Sequence, residues 1–151
     1  MIDSFQEVSI KNNSPIADAI GEFSSDFCDF TPYVIQMWQE YYNTHFAKTQ
    51  DALCLRHTIN GRDSYACLSN NIVKSVAELS QMLGKSSVPM TLLTDIQVNE
   101  LKKHYSVSEL ATDEAWSDYI YLHSDLAEMS GKRYAGQRNH INKFISNCTS
   151  W

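Results

Sequence analysis

Residues 52–69 read ALCLRHTI (52–59), NGR (60–62) and DSYACLS (63–69). Two runs rich in β-branched, aromatic and aliphatic side chains flank an Asn-Gly pair. Asn and Gly tolerate the positive φ that a tight hairpin turn demands, so this stretch predicts a β-hairpin. Immediately upstream, NTHFAKTQ (43–50) supplies a further strand and extends the hairpin to a meander. At the start of the chain FQEVSI (5–10) loosely alternates Phe5, Val8 and Ile10, the pattern of an edge strand.

Helical signals surround this hairpin. Ser14-Pro15 places an N-cap before a proline at the first helical position, predicting a helix to about Gly21. Thr31-Pro32 repeats the signal, and its helix carries Val34, Ile35, Trp38, Tyr41 and Tyr42 as one apolar stripe. Between these helices FSSDFCDF (23–30) reads as a loop with buried aromatics. After the hairpin, Ile72, Val76, Leu79 and Leu83 keep helical spacing up to Gly84, which ends the helix. Thr94 and Gln97 form a capping-box pair for a helix running to about Tyr105. VPMTLLT (88–94), SVSELAT (106–112) and SDYIYLH (117–123) are expected as strands. A short helix over Asp125–Ser130 closes at Gly131, and a last one begins near Ala135 with Ile141, Phe144, Ile145 and Cys148 on one face.

Such alternation of helices and strands around a central hairpin predicts an α/β class with a mixed sheet covered on both faces. The order resembles the Gcn5-related N-acetyltransferase-like fold, a three-layer αβα domain. The length of 151 residues suits a single domain over 1–151. An apolar share of 43% and a charged share of 20% are those of a globular protein, and no apolar run is long enough for a membrane span. The opening MIDSFQEVSI has neither the basic nor the apolar region of a signal peptide, so a cytoplasmic location is expected. Without secretion the two Asn-X-Ser/Thr matches, at Asn12 and Asn147, carry little meaning. Cys28, Cys54, Cys67 and Cys148 form no C-x-x-C pair and read as reduced, mostly packed thiols.

A net charge of −6 argues against a general nucleic-acid or anionic-membrane binder. The charge is unevenly spread. Residues 109–128 hold acids and no Lys or Arg, whereas 131–143 hold Lys132, Arg133, Arg138 and Lys143 and no acid. The basic residues either meet phosphate oxygens or pair with the acidic block. His57 follows Cys54 by three positions, but no second ligand pair accompanies them and no metal is expected. G-x-S-x-G, H-E-x-x-H, Walker and G-x-G-x-x-G patterns are absent from the sequence. An acyl-CoA site would need a Gly-rich turn between hairpin and helix, where backbone N–H groups cradle a pyrophosphate. The segment in that place, CLSNNIVKSV (67–76), has no glycine, so neither acyl-CoA nor another cofactor is expected.

The most specific signal is SDYIYLHSDLAEMSGKRYAGQRNHINKF (117–144). Its Asp118-Tyr119-Ile120-Tyr121 run, Asp125-Leu126, Gly131-Lys132-Arg133-Tyr134 and Arg138-Asn139-His140-Ile141-Asn142-Lys143-Phe144 resemble the signature of the phosphatidylglycerol lysyltransferase C-terminal-domain family. The aromatic helix FTPYVIQMWQEYY (30–42), with its Trp, is compatible with that resemblance. Members carry two acetyltransferase-like units in tandem and transfer an aminoacyl group from a charged tRNA to an acceptor such as a lipid headgroup. This chain resembles the first unit. The resemblance implies that residues 132–151 lead into a second unit, with Asn139 and Asn142 at the junction, and that catalysis belongs mainly to that unit. Where the family has a basic His-Lys-Lys-like run, Ala135-Gly136-Gln137 stands here, removing charge and adding a helix-weakening glycine. Two functions follow as expectations: half of an aminoacyl-tRNA-dependent transferase, inactive alone, or a non-catalytic module that dimerises through its last helix. The missing glycine turn speaks against a conventional small-molecule N-acetyltransferase.

Overall fold

Asn60 and Gly61 both take positive φ, 52° and 73°, and form a two-residue turn. Arg62 leaves the loop for the strand, so Ile59 pairs directly with Arg62. The structure is a computed structural model that describes residues 5–23, 25, 27–112 and 120–148. Its strands are β1 (Gln6–Glu7), β2 (His45–Lys48), β3 (Ala52–Ile59) and β4 (Arg62–Ser69), and they lie in that order in one antiparallel sheet. The helices are α1 (Asn13–Glu22), α2 (Pro32–Trp38), α3 (Ile72–Leu83), α4 (Asp95–Leu101), α5 (His123–Glu128) and α6 (Ala135–Asn147). The chain divides into two compact units, Met1–Thr112 and Asp113–Trp151.

In the first unit β3 and β4 are apolar at successive positions because both faces of the sheet are covered. Leu53, Leu55, Ala66 and Leu68 join one buried cluster with Ile16 and Ala19 of α1, Ile35 of α2 and Phe46 of β2. Ala52, Cys54, Tyr65 and Cys67 point the other way, into a cluster with Ile72, Val76 and Leu79 of α3 and Leu101 of α4. The fold is therefore α+β, an antiparallel sheet with helices on both faces.

Capping sets the helix ends much as the residue types require. Thr31 accepts from the Val34 N–H at 3.4 Å with Pro32 at the first position, and Asn71 accepts from the Lys74 N–H at 3.0 Å. Thr94 and Gln97 make both bonds of the capping box, and Gly84 closes α3 at φ 61°.

Several expected elements take another form. The sheet is antiparallel and not mixed; its one parallel element among the described residues is a bridge from Tyr65 to Met90. VPMTLLT is held there by Tyr65 N–H to Pro89 O (2.9 Å) and Thr91 N–H to Tyr65 O (2.8 Å). It cannot extend into a strand, since Pro89 has no N–H to donate and Leu92 turns left-handed at φ 53°. Residues 106–112 form no strand either. Of the strand expected at 117–123, the described Ile120, Tyr121 and Leu122 are irregular and exposed. Asp118 and Tyr119 lie outside the described residues. α1 starts at Asn13, so Ser14 stands inside the helix and is not its N-cap. α2 ends at Trp38 and gives way to turns through Asn43, which breaks the expected stripe; Trp38 and Tyr41 are exposed. α4 ends at Leu101, short of Tyr105.

Candidate functional site

The described part of the 117–144 stretch comprises α5, the turn that follows it and most of α6. Met129 turns left-handed at φ 46° and donates its N–H to Asp125 O at 2.9 Å, and Gly131 follows at φ 83°. A chain turned twice in this way leaves carbonyls pointing outward, and the half-buried Arg138 side chain reaches back from α6 to collect them. Its Nη1 donates to Met129 O and, at 2.8 Å, to Gly131 O. A guanidinium on the last carbonyls of a helix also complements the helix dipole. Arg138 is thus a clamp on the α5–α6 connection.

Arg133 is also engaged within the unit. It pairs with Asp125 at 2.5 Å and lies 4.7 Å over the ring of Tyr134, which is buried. The acidic block therefore supplies one partner to the basic block. Lys132 and Lys143 are exposed and form no ion pair among the described residues. The four basic side chains do not converge on one phosphate-sized point: two are spent on internal contacts. Asn139 and Asn142 are exposed on α6; Tyr121, before α5, and Gly131, after it, are exposed as well.

α6 contributes no buried residue. Ile141, Phe144 and Ile145, expected on one face, are 41%, 51% and 62% exposed, and Ile120 and Leu122 are more so. An apolar surface of this kind marks an interface more often than a solvated helix.

The N-terminus of α3, where the sequence lacks a glycine-rich turn, is filled by the chain itself. Asn71 Oδ1 takes the Lys74 N–H, and Ser69 Oγ takes the Asn71 N–H at 2.8 Å and the Ser75 hydroxyl at 2.7 Å. The Lys74 ammonium is bound to Asp51. Self-capped amides and a paired lysine do not fit a pyrophosphate cradle.

Three features of the first unit escaped the sequence reading. Buried Thr44 meets His57 Nδ1 through its hydroxyl at 3.2 Å, with the Tyr42 ring 5.8 Å away, and burial pushes the imidazole pKa below its ordinary 6.5. No spacing rule links positions 44 and 57; the β2–β3 pairing does. Cys54 and Cys67 stand opposite each other across β3 and β4, both buried, with sulfurs 3.1 Å apart. Finally, an open groove of about 520 Å³ runs between Ser9, Ile10, Tyr33, Gln36, Met37 and Glu40. The Tyr33–Met37 spacing of four was its signal, on the helix face opposite Ile35. Among the described residues no group of three or more His, Cys, Asp or Glu side chains is arranged to hold a metal, and no helix is long and apolar enough to cross a membrane.

No family model matches the chain, and no curated protein does. A solved structure described as a conserved protein of unknown function from Bacteroides thetaiotaomicron VPI-5482 is similar to it, with a TM-score of 0.73 and 24% identity. The match covers 97% of this chain and 51% of that one, so this chain spans about half the length of its structural neighbour. At that identity the likeness speaks for the fold alone.

Proposed function

We propose that this chain is the first of two acetyltransferase-like αβα units of a cytoplasmic, aminoacyl-tRNA-dependent transferase resembling the phosphatidylglycerol lysyltransferase C-terminal-domain family, and that it is inactive alone. The observation that carries the proposal is the fit of nearly the whole chain onto half of a longer structure. The exposed apolar residues of α6 add to it, because a second unit seated there would cover them. The occupied N-terminus of α3 is in keeping with a unit that holds no acyl-CoA and leaves transfer chemistry to its partner. Lys132 and Lys143 remain available to a phosphate-bearing partner such as tRNA, whereas Arg133 and Arg138 serve the local structure.

The test compares this chain with the product of its native reading frame, using charged tRNA and lipid vesicles as donor and acceptor. The frame is expected to continue for roughly another domain's length, and the longer product to transfer the aminoacyl group while residues 1–151 do not. A frame ending at Trp151, or a longer product that transfers nothing, overturns the proposal.

A second reading, a module that pairs with its own copy, rests on the same exposed Ile141 and Ile145. It requires a concentration-dependent dimer in sedimentation; a monomer at all concentrations removes it.

A further inference from the structure

We propose that Cys54 and Cys67 are a cross-strand thiol pair that closes to an intramolecular disulfide when the protein meets a hydroperoxide. The pair follows from register. The Asn60-Gly61 turn sets Ile59 against Arg62, and five residues back from the turn this places Cys54 opposite Cys67. Both side chains point to the same face of the sheet and into the same buried cluster with α3. Their sulfurs are 3.1 Å apart, so a bond of about 2.05 Å requires an approach of only about 1 Å. Directly opposed residues in an antiparallel pair already hold their Cβ atoms near the separation that a disulfide spans. Of the other two cysteines, Cys28 is exposed in the segment before α2, and Cys148 follows α6 in the other unit.

The chemistry needs one two-electron oxidant. The Cys54 sulfur attacks a peroxide oxygen; the O–O bond breaks, the sulfur becomes a sulfenic acid, and the departing oxygen leaves as water or alcohol after taking a proton. The Cys67 sulfur then displaces the sulfenic oxygen as a second water, forming the S–S bond. The thiols lose two hydrogens and two electrons in all, and the peroxide is reduced. The hydrogen bond with Cys54, followed by burial, pushes the Cys67 thiol pKa well up. Burial of both sulfurs makes closure slower than oxidation of exposed Cys28, and it shields the finished bond from reductants.

Closure would tie β3 to β4 within the first unit. It constrains a loop of 13 residues in the unfolded chain, for which a rise in Tm of roughly 5–10 °C is expected. The test treats the folded chain with hydrogen peroxide, then unfolds it in an alkylating agent and maps its peptides by mass. The expected result is a linked Cys54–Cys67 peptide lighter by two hydrogens, formed faster as pH rises, and formed equally in a Cys28→Ser, Cys148→Ser background. Recovery of Cys54 and Cys67 both alkylated, under peroxide that fully oxidises Cys28, overturns the proposal. So does linkage of either residue to Cys28 or Cys148. Because the mapping uses the wild-type chain, neither outcome depends on a variant that folds.

Discussion

The two units treat their apolar side chains in opposite ways. In Met1–Thr112 the sheet buries one cluster on each face, and Leu53, Cys54, Leu55 and Ala66 are completely inaccessible. Among the described residues of Asp113–Trp151, Tyr134 alone is buried, while Ile120, Leu122, Leu126, Ile141, Phe144 and Ile145 are exposed. Both regions carry apolar residues at helical spacing, so amphipathic pattern does not separate them. What separates them is burial. α3 packs against the sheet, whereas α6 contributes no buried residue and is tied to the turn before it by the Arg138 clamp. Spacing in a sequence says which face of a helix wants cover; it does not say which molecule supplies the cover.

That contrast makes unequal demands on stability. Leu55→Ala removes a wholly buried side chain between β3 and the α1–α2 layer, and should cost about 3 kcal/mol or more in urea unfolding, since the lost methyl groups leave a cavity. A cost below about 1 kcal/mol would mean that this cluster is far looser than its burial indicates. Arg138→Ala acts on the other unit through hydrogen bonds alone. Its loss leaves the Met129 and Gly131 carbonyls to water, and should cost about 1 kcal/mol. The effect should appear as faster amide exchange over residues 123–131 with β3 and β4 unchanged. Exchange that quickens in the strands as well would show that the two units are not independent.

The parts of the molecule legible in the sequence are those fixed by a local steric or hydrogen-bonding demand. Asn60-Gly61 is legible because few residues accept positive φ twice in succession. Thr31, Asn71, Gly84, Thr94 and Gln97 are legible because helix ends need donors and acceptors satisfied within a few residues. The strands expected at 88–94 and 106–112 fail because β-propensity records fit to a pleated, half-buried surface, and that surface is built by distant residues. The thiol pair lay within reach of the sequence and was lost by one position. Counting Arg62 as a loop residue would put Cys54 opposite Leu68; giving Arg62 to the strand puts it opposite Cys67. The basic cluster shows the opposite limit. Four cations close together in sequence left phosphate contact and internal pairing both open, and Arg133 and Arg138 are engaged by Asp125 and by carbonyls that become acceptors only once the α5–α6 turn has formed.

The smallest effect on this chain should come from the surface that matters most to its proposed partner. Ile145 is 62% exposed on α6, so Ile145→Ser removes little buried area, and a stability change within about 0.5 kcal/mol is expected for residues 1–151. In the longer product proposed above, if a second unit covers α6, the same substitution places a hydroxyl in an apolar interface and forfeits the burial of a large side chain, at a cost of about 1–3 kcal/mol. The informative quantity is the difference between the two costs, measured by unfolding both proteins under one set of conditions. A large difference assigns α6 to the interface between units. Equal and negligible costs would leave α6 solvated in both, and the second unit would have to sit elsewhere, with the exposed groove at Ile10, Tyr33 and Met37 the next surface to probe.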